Sequence, residues 1–215
     1  MFNVTIVDYG FGNLFSVQRG LEKCGATVSV TSDPEAIGNS SRIVLPGVGA
    51  FGSAMDELDR LSLVDVLREF VASGRPLLGI CLGMQLLLEE SEEFGTRTGL
   101  AVIPGRVVPV PWATLEGERQ KIPHIGWSGL IPANGGEGWA ERFMVGLTPG
   151  DAVYFVHSFM AVPRLATDRL ADCMYGGHRI AAIIKRGNVI GCQFHPEKSG
   201  RVGLGILEAF CKLAA

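Results

Sequence analysis

The sequence lacks any apolar run near the roughly 18 residues that span a bilayer. Its longest candidate, Leu77 to Leu88, is broken by Gly79, Gly83 and Gln85. The start lacks a basic segment before its apolar stretch: the first positive charge is Arg19, so no secretory signal is read and a cytoplasmic chain beginning at Met1 is expected. A basic excess is also missing. Lys and Arg number 19 against 22 Asp and Glu, a formal charge of −3, which argues against a general nucleic-acid binder. The five cysteines, at 24, 81, 173, 192 and 211, are odd in number and widely spaced, with no C-x-x-C pair. That excludes a disulfide framework or a zinc ribbon, and no metal site is expected. Repeats and low-complexity tracts are absent too, and no linker is long enough to divide the 215 residues, so one domain over 1–215 is expected.

What is present is an alternation of strand and helix signals. Asn3–Asp8, Thr27–Thr31, Arg42–Leu45 and Pro76–Ile80 are short, apolar and rich in β-branched residues. Between them, Leu14, Val17, Leu21 and Cys24 recur at helical spacing before Gly25, and Asp33-Pro34 has the form of a helix start. Met55 to Val71 carries one or two helices, and Leu82–Glu90 reads as another. Strands separated by helices predict a parallel sheet covered on both faces. The second half differs. Ala101–Val110, Ala152–Val156, Arg179–Lys185 and Val189–Phe194 read as strands with few helices between them, and Asn134–Gly138 as a surface turn. A last amphipathic helix presents Val202, Ile206, Leu207, Phe210 and Cys211, with Ser199 as its expected cap.

The sharpest local signal is Gly79-Ile80-Cys81-Leu82-Gly83, a thiol form of the nucleophile elbow at a strand-to-helix junction. A nucleophile raised on so tight a turn needs glycines on either side, where neighbouring backbone packs close. The following helix end favours a thiolate, and the Leu82 N–H is placed to donate to an oxyanion. A cysteine that merely packs is the alternative. A partner weakens that alternative: His195-Pro196-Glu197 follows the strand Val189–Phe194. Residues i and i+2 of an extended segment point the same way, so Glu197 can hold the imidazole of His195 while His195 takes a thiol proton. A second oxyanion donor is expected from Pro46-Gly47-Val48-Gly49 at the same sheet edge. That loop continues as Gly47-Val48-Gly49-Ala50-Phe51-Gly52, a G-x-G-x-x-G match and hence a dinucleotide-binding alternative. It does not follow the first strand, and Asp65 and Glu69, at the acidic spacing, lie in a helical pattern.

These pieces resemble the class I (triad) glutamine amidotransferases, and within them the glutaminase subunit of imidazole glycerol phosphate synthase. The resemblance covers nearly the whole chain. Asp8-Tyr9-Gly10-Phe11-Gly12-Asn13, Pro123-His124-Ile125-Gly126-Trp127 and Tyr154-Phe155-Val156-His157-Ser158 carry the branch; Gly79–Leu87 and Gln193–Gly200 carry the superfamily. It implies a flavodoxin-like α/β fold, mainly parallel, with additional antiparallel strands. It implies Cys81 as nucleophile, His195 as base and Glu197 as third triad member, with Val48 and Leu82 at the oxyanion hole. Gln85, Glu93 and main-chain groups of Gly49, His157 and Ser158 would bind glutamine. Asn13, Tyr154 and Lys198 would face a β/α-barrel cyclase subunit that receives the ammonia. No cofactor is implied. By residue type His124 and His157 read as structural histidines, and Trp127 as packing under the active-site face. Ser128 departs from the family's usual Asn, and Cys173–Gly177 and Ile190–Gln193 resemble a paralogous set that feeds ammonia to amidation of a nucleotide sugar in surface-polysaccharide synthesis. A stand-alone cysteine peptidase or γ-glutamyl hydrolase is a further alternative.

Overall fold

The computed structural model describes residues 2–214. Strands β1 (Phe2–Val7), β2 (Ala26–Thr31), β3 (Ile43–Gly47) and β4 (Leu77–Cys81) are separated by helices α1 (Leu14–Lys23), α2 (Pro34–Gly38), α3 (Phe51–Arg60) and α4 (Leu63–Ala72). The helix start at Asp33-Pro34 acts as the sequence predicts, the Asp33 side chain accepting from Glu35 N–H with Pro34 in the first turn; α1 is capped likewise, the Asn13 side chain accepting from Ser16 N–H. After α5 (Leu82–Leu86) come β5 (Glu90–Ser91), β6 (Arg97–Thr98), β7 (Gly105–Pro109), β8 (His124–Gly129), β9 (Ile131–Pro132), β10 (Ala152–His157), β11 (Phe159–Pro163), β12 (Arg169–Tyr175), β13 (His178–Arg186) and β14 (Val189–Cys192). Helix α6 (Gly200–Cys211) closes the order.

The main sheet runs β2-β1-β3-β4-β14-β13-β12-β9. Its first five strands are parallel, in the 2-1-3-4-5 order of flavodoxin-like folds, and β13, β12 and β9 extend it antiparallel. A β8–β10 ribbon and a small sheet β11-β7-β5-β6 stand apart from it. The expected α/β architecture with a mainly parallel sheet and extra antiparallel strands is therefore what the chain forms.

Period-two alternation explains the parallel core. Ile6, Val44, Leu78 and Ile80 pack on one face with Leu21, Ile206 and Phe210 of α1 and α6. Val7, Leu45 and Leu77 pack on the other with Leu58, Leu67 and Phe70 of α3 and α4. Both faces are covered, so strands in the middle read as continuous apolar runs.

Four local expectations need correction. The helix expected over Leu82–Glu90 ends at Leu86. Leu86, Leu87 and Leu88 are all buried, so no polar face marks where the helix stops, and the chain turns there into β5. The strand expected over Ala101–Val110 begins only at Gly105, because Ala101 adopts a positive φ. Asn134–Gly138 belongs to a 3-10 stretch, Asn134–Ala140, kinked at Gly135 and Gly136. Ser199 precedes α6 but makes no side-chain cap bond; its hydroxyl is used elsewhere.

Candidate active site

Strands β3 and β4 end side by side, Gly47 opposite Cys81, and β14 lies on the far side of β4 with Cys192 opposite Ile80. The loops leaving these three parallel strands at their carboxyl ends therefore meet, which is where open α/β sheets hold ligands. Cys81 closes β4 and opens α5 with φ 54 and ψ −108, a conformation that costs a non-glycine residue strain and persists only where the surroundings fix it. The two glycines of the motif are required by contact. A Cβ on Gly79 would come within 2.7 Å of the Gly83 carbonyl oxygen, and one on Gly83 would run into the Leu45 carbonyl. The helix behind Cys81 has only five residues, so its end contributes less to holding a thiolate than a full helix would.

His195 follows β14, and Pro196–Lys198 make a single 3-10 turn. His195 and Glu197 meet as i and i+2: Nδ1 of the imidazole lies 2.8 Å from Glu197 Oε1, and both side chains are buried. The carboxylate fixes the proton on Nδ1 and leaves Nε2 for the reacting group. Nε2 is buried without a complete hydrogen bond, yet Cys81 is near enough to raise its proton affinity. Burial works against the imidazolium, but hydrogen bonding and charge from Cys81 and Glu197 outweigh it and push His195 up to about 9. The Cys81 sulfur itself lies 3.8 Å from the Val156 carbonyl and 3.8 Å from Gln193 Nε2.

Ser199 explains how the turn is held. Its hydroxyl donates to the His195 carbonyl at 2.7 Å and accepts from the Tyr154 N–H at 3.0 Å, while His195 N–H donates to the Tyr154 carbonyl at 3.0 Å. Both backbone groups of Tyr154 thus clamp the His195 turn to β10. Tyr9, read from the sequence only as part of a motif, is buried with its hydroxyl donating to the Pro46 carbonyl at 2.7 Å, which fixes the entry to the Val48 loop. Burial, then the charge of Cys81, holds its phenol well above the usual range.

A cleft of about 320 Å³ gathers Val48, Gly49, Cys81, Leu82, Gln85, Glu93, His157, Ser158 and His195, with Pro123, Val156 and Phe159 completing its lining. All residues expected to act on or bind substrate, except the buried orienting Glu197, thus line one wall-to-wall space. Val48 is 45% exposed and Gly49 adopts φ +107, a turn only glycine takes without strain. Gln85 Nε2 donates to the Phe159 carbonyl at 3.0 Å and to Gln193 Oε1 at 3.1 Å. Glu93 lines the cleft but also accepts from Phe51 N–H at 2.6 Å. That bond occupies the first amide of α3, where a G-x-G-x-x-G loop would hold a phosphate, so the geometry disfavours the dinucleotide alternative. Among the described residues no group of three or more His, Cys, Asp or Glu side chains could hold a metal ion. The larger hollow, between Val145–Asp151 and α6, has none of the reactive side chains.

The second histidine site borders this cleft. His124 Nδ1 lies 2.9 Å from His157 Nε2, His157 Nδ1 lies 2.9 Å from the Phe159 carbonyl, and His124 Nε2 lies 3.0 Å from Ser128 Oγ. The carbonyl can only accept, so His157 carries its proton on Nδ1, His124 donates to His157, and Ser128 donates to His124. Ser128 therefore supplies a donor, as the family's Asn would. Burial pushes both imidazoles down to about 4; for His157 the neighbouring histidines add to this and the Phe159 bond opposes it.

Asn13 and Lys198 are exposed and Tyr154 is half-buried. Trp127 is 58% exposed, edge-on to Tyr154, rather than packed beneath the site as expected. Ile125, two residues before Trp127 on β8, is exposed as well, so that face of the β8–β10 ribbon is open. Cys81 is the one cysteine among the residues lining the cleft; burial raises the thiols of Cys24, Cys173, Cys192 and Cys211.

A thiol on a strained strand-to-helix bend, an imidazole backed by a carboxylate, and a doubly wound sheet suit attack on a carbonyl carbon. Residues 5–212 match the family described as glutamine amidotransferase class-I, and the chain belongs to that family. More particularly, it is 49% identical over 213 residues to the imidazole glycerol phosphate synthase subunit HisH 1 of Legionella pneumophila (strain Paris), across 99% of this chain and 100% of that one. It is 42% identical over 212 residues to the HisH subunit of Bacillus subtilis (strain 168), across 99% and 97%. Solved structures share the fold at low identity. PurLQS from Thermotoga maritima superposes with a TM-score of 0.71 at 17% identity, covering 98% of each chain. A crystal structure of a glutamine amidotransferase gives 0.71 at 17%, covering 96% of this chain and 98% of that one.

Proposed function

We propose that the chain is the glutaminase subunit of an imidazole glycerol phosphate synthase, which hydrolyses glutamine to glutamate and ammonia and passes the ammonia to a β/α-barrel cyclase subunit. The observation that carries the reading is the Cys81–His195–Glu197 arrangement at the ends of adjacent strands, with Glu197 bonded to Nδ1 and Cys81 beside the buried Nε2. In this reading Nε2 of His195 takes the thiol proton as Cys81 sulfur bonds to the side-chain amide carbon of glutamine. Backbone N–H groups of Val48 and Leu82 hold the resulting oxyanion, each worth about 3–4 kcal/mol in such sites. The imidazolium protonates the departing nitrogen, the C–N bond breaks, and ammonia leaves a thioester on Cys81. Water, losing its proton to His195, attacks the thioester carbon. The C–S bond breaks, glutamate departs, and the proton returns to sulfur. Gln85, Glu93 and main-chain groups of Gly49, His157 and Ser158 would position the substrate.

An apolar strip supports a docking face for the cyclase. Ile125 and Trp127 are exposed at i and i+2 on β8, and Tyr154 stands opposite Trp127 in the ribbon. Asn13 and Lys198 would complete that face. The names of the relatives favour ammonia supply to imidazole glycerol phosphate synthesis over amidation of a nucleotide sugar. A cytoplasmic location goes with that biosynthetic role; no helix among the described residues is long and apolar enough to cross a membrane.

The test is Cys81→Ala in the complex with the cyclase. Glutamine-dependent turnover should vanish while synthesis from added ammonium persists. Glutamine hydrolysis at the wild-type rate would refute the assignment. Full activity of the isolated chain on γ-glutamyl peptides, without a partner, would favour the stand-alone hydrolase.

A further inference from the structure

Gln193 is fully buried one residue past the end of β14, two residues before His195, and neither the sequence motifs nor the reaction steps above give it a task. Its surroundings do. The Phe159 carbonyl can only accept a hydrogen bond, so the Gln85 carboxamide must present its NH2 there. The same NH2 donates to Gln193, which must answer with Oε1. Gln193 therefore turns its own NH2 toward the Cys81 sulfur, 3.8 Å away. One main-chain carbonyl sets the direction of every proton in this chain. Reversing Gln85 would set its oxygen against the carbonyl and leave buried polar atoms opposed, at a cost of about 1–3 kcal/mol each.

We propose that Gln193 is a positioning residue for the thioester chemistry, its carboxamide fixing which way Gln85 faces while aiming an N–H at the sulfur of Cys81. Two consequences follow. With both Gln85 protons committed, its Oε1 makes no hydrogen bond among the described residues and is left as an acceptor at the cleft, suited to an N–H of glutamine. The N–H of Gln193 meanwhile holds the Cys81 sulfur from the end of β14. The inference rests on the reading of Cys81 as nucleophile and of Gln85 as a substrate contact.

Two variants, assayed in the complex with the cyclase, separate the two tasks. Gln193→Met keeps the volume and loses both, so KM for glutamine should rise and kcat fall, each by about fivefold or more. Gln193→Glu accepts from Gln85 in either ionisation state but can donate to sulfur only while its buried carboxyl holds a proton, so kcat should fall, with KM near wild type, as pH rises through that ionisation. Iodoacetamide alkylation of Cys81 at neutral pH, read by peptide mapping, should slow about fivefold in Gln193→Met. A Met variant within about twofold of wild type in KM, kcat and alkylation rate would overturn the proposal. Should either variant fold poorly, the unmutated protein decides: the side-chain amide NMR signal of Gln193 should shift when Cys81 is alkylated, and an unmoved signal would overturn it. Failure of the wild-type complex to hydrolyse glutamine would instead refute the functional reading itself.

Discussion

His195 and the His124–His157 pair lie against the same cleft, all three buried, and are driven in opposite directions. Burial lowers the proton affinity of each. For His195 the neighbours are Cys81 and Glu197, and the imidazole is pushed up to about 9. For His124 and His157 the polar neighbours are each other, a hydroxyl and a carbonyl, and both fall to about 4. Depth inside the protein does not decide the charge of a histidine here; the presence of an anionic partner does. In the proposed reaction the first site carries a proton. The other is built to stay neutral, with every proton assigned, and to hold the strand that forms the cleft wall.

The largest expected effect comes from making the first site resemble the second. Glu197→Gln keeps the shape but removes the anion, so the tautomer and the imidazolium lose their support. Steady-state ammonia release should fall by about 10³–10⁴-fold. A loss below tenfold would mean the carboxylate is dispensable.

Next is the pH dependence of stability, where the two sites differ in sign. The unfolded value for each histidine is about 6.5. His124 and His157 titrate near 4 when folded, so the unfolded chain binds more protons between those values and stability falls as pH drops from about 6.5 toward 4. His195 titrates near 9 when folded, so its contribution is complete below about 6.5 and is lost as pH rises through about 9. Urea midpoints measured across that range should therefore decline on both sides. Glu197→Gln should flatten the alkaline limb alone, and a variant that flattened both would break the comparison.

A smaller effect is expected at Ser128. Ser128→Ala leaves His124 Nε2 without its donor and should cost about 0.5–1.5 kcal/mol in unfolding free energy. Ser128→Asn restores a donor and should cost less than Ala. Were the alanine variant as stable as wild type, the hydroxyl would not be what orders the pair.

The candidate site was legible in the sequence where it sits in contiguous residues. Gly79, Cys81 and Gly83 declare themselves because a tight bend admits no Cβ beside it, and His195 and Glu197 because alternate residues face one way. The parallel half of the sheet was legible for a similar reason: strands covered on both faces read as apolar runs. Partners brought together from far along the chain left no such trace. Ser199 looks like a helix cap until Tyr154 and the His195 carbonyl are seen to take its hydroxyl. Gln193 looks like filler in a motif until Gln85, 108 positions away, is found against it. The end of α5 was hidden because Leu86, Leu87 and Leu88 are buried alike and periodicity has nothing to alternate with. Trp127 was misread because an apolar residue beside a cleft suggests packing, whereas the ribbon that carries it is covered on one side only.

In the proposed reaction one sulfur carries the glutamyl group. Acid quench of the complex during turnover of isotopically labelled glutamine, followed by peptide mapping, tests it directly. A γ-glutamyl thioester on the peptide containing Cys81, absent in Cys81→Ala, is the predicted result. Continued glutamine hydrolysis by protein whose Cys81 has been fully alkylated would contradict it.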